Sequence, residues 1–143
     1  MIRELGPADT GLAYRAVLEL RPHIGSEADF VHRVNELQRP EGYRVVASFA
    51  EGVSEAAAAA GFRTGHFLAW GHIVYVDDLS CRAEFRRQGH ASALMDWLLV
   101  EARRLGCDEL HLDSGVGPDR TDAHRLYLNK GMRISAHHFG IRL

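Results

Sequence analysis

The sequence predicts an α/β domain in which about four helices flank a mixed central β-sheet. Three observations carry that prediction. Strand-like runs rich in β-branched and aromatic residues, YRVVASFA and HIVYVDDLSC, alternate along the chain with amphipathic stretches. After the second run, Ala91, Leu94, Met95, Leu98, Leu99, Ala102 and Leu105 recur at helical spacing. The 143 residues fit one domain with a single modest core, so 1–143 is expected to be a single domain.

Each element has its own signal. IREL alternates and opens the chain as a short strand. Leu12, Ala13, Ala16, Val17 and Leu20 form a helical stripe that Pro22 stops. SEADFVHRVNELQ begins with Ser26 and Asp29 at capping-box-like spacing and then sets Phe30, Val31, Val34 and Leu37 on one face. YRVVASFA is a strand and EGVSE its turn. The run Ala56–Ala60 is ambiguous: alanine favours helix, whereas Gly61, Gly65 and the nearby aromatics favour a strand hairpin. HIVYVDDLSC is the next strand. The long helix after it carries Arg103 and Arg104 in its last turn, where the helix dipole favours cations, and Gly106 stops it. ELHLDS is a short strand, and DRTDAHRLYLNKG a helix with Ala123, Leu126 and Tyr127 inward and Gly131 at its end. MRISAHHFGIRL closes the chain as extended structure. The predicted order is β-α-α-β-β-β-α-β-α-β.

Composition excludes several classes. A net charge of −2 gives no electrostatic case for nucleic acid. No apolar run is long enough to span a bilayer, and the opening MIRELGPADTG has no signal-peptide pattern, so a cytoplasmic, reducing setting is expected. Cys81 and Cys107 are isolated, and nine histidines without HExxH or a cysteine partner predict no metal site.

The stretch EFRRQGHASALMDWL stacks two arginines and a glycine at the mouth of a helix. The first N–H groups of a helix lack internal partners, and the dipole makes that end positive. Glycine lets the backbone aim several N–H groups at one anion. Arg86, Arg87, Gln88, Gly89, His90 and Ala91 therefore form a candidate cradle for a phosphate or pyrophosphate. A solvated arginine pair in an ordinary strand-to-helix loop is the competing reading, and local sequence alone leaves the two level. No Gly-Lys-Ser/Thr follows, so the Walker pattern fails; the dinucleotide fingerprint, which needs three glycines together with a distal acid, also fails because the stretch has only Gly89.

The stretch resembles the acetyl-CoA motif of the GNAT (Gcn5-related) N-acetyltransferase superfamily, Gln/Arg-x-x-Gly-x-Gly/Ala, as Arg86-x-x-Gly89-x-Ala91. VYVDDLSC resembles that family's fourth strand, and AHRLYLNKGM its Ala-x-x-x-Tyr-x-x-x-Gly-Phe block, with Met132 in place of the aromatic. The detailed match runs from Ile73 onward. The resemblance implies the acyl-CoA N-acyltransferase fold, with a splayed fourth and fifth strand pair, and acetyl-CoA as co-substrate without a metal. It implies pyrophosphate binding by Arg86 through Ser92. It also implies pantetheine pairing along Leu79, Ser80 and Cys81, with the Cys81 N–H as donor to the acetyl carbonyl. Arg87 stands where the family often has glycine, and His90 where it often has an apolar residue; neither change blocks backbone donation. Arg120 stands near the place of a pantetheine-binding asparagine, which puts that contact in doubt.

Tyr127 matches the tyrosine that protonates the departing sulfur, although a core aromatic is the bland alternative. Asp78 and Asp77 are candidate bases; alternation predicts that they point to opposite faces, and a structural acid pair is the competing reading. His111 with Asp113 is a second candidate pair, and one of the adjacent His137 and His138 would border the acceptor pocket. The loop RPHIGS lies where family members shape that pocket, through His23 and Ile24. The Cys81 side chain is expected to be a small apolar filler and not a nucleophile. Expected partners are a small-molecule or peptide amine, with a homodimer possible and no nucleic acid or membrane. A non-catalytic acyl-CoA sensor is the alternative function.

Overall fold

The apolar runs pair into one five-stranded sheet in a computed structural model that describes residues 1–143. β1 (Ile2–Leu5), β2 (Arg44–Ser48), β3 (Ala58–Phe67), β4 (Gly71–Cys81) and β5 (Glu109–Leu112) lie across it in that order. The first four are antiparallel neighbours. β5 starts level with the start of β4, where the Asp108 N–H donates to the His72 carbonyl (2.7 Å), and runs parallel to it, so the sheet is mixed. The helices are α1 (Tyr14–Leu20), α2 (Glu27–His32), α3 (His90–Arg104) and α4 (Thr121–Asn129). No helix is long and apolar enough to cross a membrane. The chain divides into two compact units, Met1–His111 and Leu112–Leu143.

In the first unit, alternation along β2 sends Tyr43, Val45, Ala47 and Phe49 to one face, where they pack with Ala13, Ala16 and Val17 of the α1 region and with Phe30 and Val34. The other face receives α3, whose Leu94, Met95 and Leu98 are fully buried and whose Trp97 meets the Phe62 ring edge-on at 5.9 Å. The alanine run is strand and strand approach: Ala58–Ala60 belong to β3, and Ala56 through Ala60 are all fully buried. Burial between two helical layers overrides the helix preference of alanine, and side chains this small admit helices to both faces.

Local signals set the helix ends. The first stripe begins as a 3-10 turn, Pro7–Ala13, before α1. Ser26 and Asp29 form the predicted capping box of α2, which runs on through a π turn at Arg33–Gln38. Gly106, at φ +71, follows α3. In the second unit a 3-10 turn, Pro118–Arg120, leads into α4, which Gly131 closes at φ +85 while the Met132 N–H donates to the Tyr127 carbonyl (3.1 Å).

The expected last strand does not join the sheet. β5 is the sheet's outermost strand, and Arg133–Leu143 are exposed throughout. The apolar phase of Ile134 and Ala136 shifts at His138 to Phe139, Ile141 and Leu143, so the segment offers no single apolar face.

Candidate active site

A β-bulge shapes the centre of β4. Gly61 pairs with Asp78 and Phe62 with Val76, which leaves Asp77 without a partner on β3. Simple alternation therefore fails here, and the two carboxylates enter one cluster and not opposite faces. Asp77 takes both nitrogens of the Arg63 fork (Nη2 to Oδ2, 2.8 Å). The Arg63 guanidinium lies over the Tyr43 ring at 5.4 Å. The Tyr43 hydroxyl donates to Asp78 Oδ2 (2.8 Å), and Arg21 Nε donates to Asp78 Oδ1 (2.8 Å). Arg21 Nη2 also reaches the Asp77 carbonyl (3.1 Å), which ties the C-terminal end of α1 to the bulge. Gly61 makes this possible, because a Cβ there would stand 1.6 Å from the Tyr43 hydroxyl. Burial, then the neighbouring Asp78, pushes the Tyr43 phenol far up. Burial also raises the Asp77 carboxyl, against the pull of Arg63. Tyr43, Arg21 and Arg63 were not singled out from sequence. Contacts spanning 35 and 57 residues leave no local signal, although a glycine inside a strand is a known mark of a bulge.

Beyond the bulge the ladder sorts the backbone donors. The Arg82 N–H donates to the Ala57 carbonyl (2.9 Å), so by antiparallel alternation the Ser80 N–H also faces β3. The N–H groups of Leu79 and Cys81 consequently turn away from β3, and they lie further along β4 than the four residues of β5 reach. Ser80 is buried. Burial raises the half-buried Cys81 thiol, which opposes a thiolate.

The chain then enters the Arg86–Ser92 loop. Arg87 adopts φ +61, the only positive φ outside glycine, and Gly89 caps α3 at φ +86. Two left-handed residues so close together gather successive N–H groups into a concave nest. No side chain caps α3, and its backbone ladder begins with Ala93 N–H to the Gly89 carbonyl, so the N–H groups through Ser92 precede it. The Ser48 hydroxyl lies 2.8 Å from His90 Nδ1 and fixes that ring at the helix mouth. Gln88 turns back to the Glu84 carbonyl (3.2 Å), and Arg86 is exposed, with Glu19 at 3.6 Å. Free helix N–H groups flanked by two guanidinium groups fit a pyrophosphate.

A cavity of about 370 Å³ lies next to this loop, lined by Arg15, Leu18, Glu19, Pro22, Arg82 and Glu84. Arg82 is buried, and its Nη1 has no hydrogen-bond partner. Of the RPHIGS loop, Pro22 lines the cavity, Ile24 packs on the core and His23 is exposed.

In the second unit, Tyr127 is 8% exposed on α4. Burial raises its phenol, and Arg120 pulls the other way. β5 ends at Leu112, so Asp113 lies beyond the strand. The Asp113 carboxylate faces His138 Nδ1 at 3.5 Å, and His137 and His138 are both exposed. His111 pairs with Glu109 and stacks on Trp70 at 4.2 Å.

Comparison with known proteins bears on these features. The model of the Acetyltransferase (GNAT) family matches residues 13–132. An acetyltransferase from Trypanosoma brucei is 17% identical with a TM-score of 0.80, over 100% of this chain and 99% of that one. Glucosamine-6-phosphate N-acetyltransferase from Arabidopsis thaliana is 17% identical with a TM-score of 0.77, over 99% and 97% of the two chains. The aminoglycoside N-acetyltransferase AAC(6')-Iy in complex with CoA is 17% identical with a TM-score of 0.81, over 100% and 93%. At these identities the structures show the shared fold. No curated protein matches the chain significantly.

Proposed function

The chain belongs to the GNAT acetyltransferase family, and on that premise we propose that it moves the acetyl group of acetyl-CoA to a primary amine by direct attack in a ternary complex. The observation that carries this reading is the Arg86–Ser92 loop, with left-handed Arg87 and Gly89 at an uncapped helix mouth. In the proposal, Arg86, Arg87, Gln88, Gly89, His90, Ala91 and Ser92 hold the pyrophosphate through backbone N–H groups and positive charge. Acetyl-CoA supplies an activated thioester. Leu79, Ser80 and Cys81 line the pantetheine arm, and the outward Cys81 N–H donates to the oxygen that gains charge when the amine attacks. Tyr127, a phenol that is uncharged at neutral pH and that burial raises further, gives its proton to the departing sulfur. Asp78 and Asp77 supply the base that takes a proton from the ammonium. Both carboxylates are held on both oxygens, Asp77 by the Arg63 fork and Asp78 by Arg21 and Tyr43; of the two, Asp77 has the carboxyl that burial raises, which suits a proton acceptor once Arg63 releases it.

For the acceptor we propose a small-molecule or peptide amine that enters beside the loop after α1. Two of the similar folds are N-acetyltransferases named for an aminoglycoside and a sugar phosphate, which supports a small amine. A thiol-release assay with acetyl-CoA over simple amines, polyamines, aminoglycosides and lysine peptides tests the reading. Release above the hydrolysis background with at least one class is expected. Saturable acetyl-CoA binding without release on any acceptor would point instead to a binding module.

A further inference from the structure

The cavity beside the Arg86–Ser92 loop has a charged wall that the chain itself does not complete. Arg82 is 7% exposed, with its guanidinium over the Phe85 ring at 4.9 Å. Its Nη2 donates to Glu84 Oε1 (2.6 Å), but its Nη1 is buried without a hydrogen-bond partner. Glu55 Oε2 stands 3.8 Å from that nitrogen, beyond hydrogen-bond reach, and already accepts from Arg15 Nη1 (3.1 Å). A guanidinium N–H taken out of water without an acceptor is costly, and native structures rarely leave one unmet. An anionic oxygen at this wall would meet it.

The rest of the lining narrows the occupant. Arg15 and Arg82 face Glu19 and Glu84, so an occupant with a single charge would unbalance the wall, whereas one that carries both signs would not. Glu19 suits the positive end. Its Oε1 accepts from the Ala83 N–H (3.2 Å), while its Oε2 stands 3.6 Å from Arg86 Nη2, too far for a hydrogen bond, which leaves room for a closer ammonium. Leu18 and Pro22 add an apolar side. The volume of about 370 Å³ is near the lower end for a small-molecule site. Arg82 also directly follows Cys81, whose outward N–H is the donor proposed for the acetyl oxygen.

We propose that this cavity binds a small free amino acid, carboxylate on Arg82 Nη1 and ammonium towards Glu19, and that this zwitterion is the acetyl acceptor. Its role as acceptor rests on the acetyl-transfer reading; its binding does not. As acceptor it first gives the extra proton of its ammonium to the carboxylate base. The neutral amine then forms the C–N bond as the thioester C–S bond breaks, and the sulfur leaves as the thiol while the nitrogen gives up a second proton.

Calorimetric titration tests the site apart from turnover. The protein with CoA present is titrated with the common free L-amino acids, with their carboxamides, which keep the ammonium but lack the carboxylate, and with simple alkyl amines. At least one free amino acid is expected to bind saturably and at least ~10-fold more tightly than its carboxamide, the scale of one hydrogen bond to a charged group. Arg82→Gln is expected to remove that preference. If Arg82→Gln does not fold, guanidinium NMR on the wild type takes its place: the Arg82 Nε signal is expected to move with the free amino acid and to stay put with the carboxamide. Absence of amino-acid binding, equal affinity for the carboxamide, a preference that survives in folded Arg82→Gln, or an unmoved Arg82 signal each overturns the site. A thiol-release assay run alongside separates the two readings. Amino-acid binding without release upholds the site and counts against acetyl transfer, whereas release with alkyl amines alone overturns the site and leaves acetyl transfer standing.

Discussion

Tyr127 is buried on α4, and burial raises a phenol whose ordinary value already keeps its proton at neutral pH. Tyr127→Phe keeps the ring and removes the proton. Turnover is expected to fall ~10²–10⁴-fold with CoA affinity nearly intact. A purely structural tyrosine would instead lose about 1 kcal/mol of stability and keep its turnover. Steady-state kinetics, CoA titration and melting on one preparation separate the two outcomes. Single residues were legible where a short local pattern decides them, as with Gly89, which caps α3 at φ +86. They were not legible where a partner lies far along the chain. The sequence shows Asp77 and Asp78 as neighbours, but the bulge opposite Gly61 decides that both enter one network with Tyr43, Arg21 and Arg63.

At the scale of elements, the mouth of α3 is where local pattern and tertiary structure agree most fully. Its glycine, apolar stripe, terminal arginines and closing glycine all appear at their predicted places. Gly89→Glu should abolish the thermal stabilisation by CoA, because a carboxylate would occupy the anion nest. Gly89→Ala controls for the cost of a side chain at φ +86; with no atom within 4 Å of its Cβ, it should lower the melting temperature yet keep a CoA shift. A folded Gly89→Glu protein with an undiminished shift would remove the loop from cofactor binding. The alanine run was ambiguous for a physical reason. Propensity describes an isolated helix, whereas these alanines lie between α1 on one side and α3 on the other. The missing last strand has the opposite cause: its local pattern is extended, but pairing is a long-range choice that the pattern does not make.

For the whole molecule, the order of elements carried most of the fold, because alternating strands and helices leave few ways to cover both faces of a sheet. The charge links between layers were invisible in the sequence. Arg44 on β2 holds Glu4 of β1 (2.7 Å) and Glu101 of α3 (2.7 Å), and Arg104 grips the same Glu101. Arg104 first, and then Arg44, holds the buried Glu101 carboxyl down to about 2. A carboxyl lowered on folding stabilises above its unfolded pKa, near ~4.3, and that contribution is lost as the pH falls through about 2. Glu101→Gln is therefore expected to lose about 3 kcal/mol at neutral pH, and the gap from wild type should close between roughly pH 4 and pH 2. Denaturant melts across that range check it; a constant gap would mean that packing, and not charge, gives Glu101 its weight.

The left-handed backbone at Arg87 has a further consequence, one of evolutionary compromise. A β-carbon at φ +61 costs on the order of 1 kcal/mol that glycine would not incur. Arg87→Gly is thus expected to raise the melting temperature by roughly a few degrees. The same change deletes a guanidinium from the loop and should weaken CoA binding several-fold, more at low than at high salt. Opposite movements of heat tolerance and ligand affinity in a single variant would show that the chain retains a strained residue because its charge is worth more than the ease it forgoes.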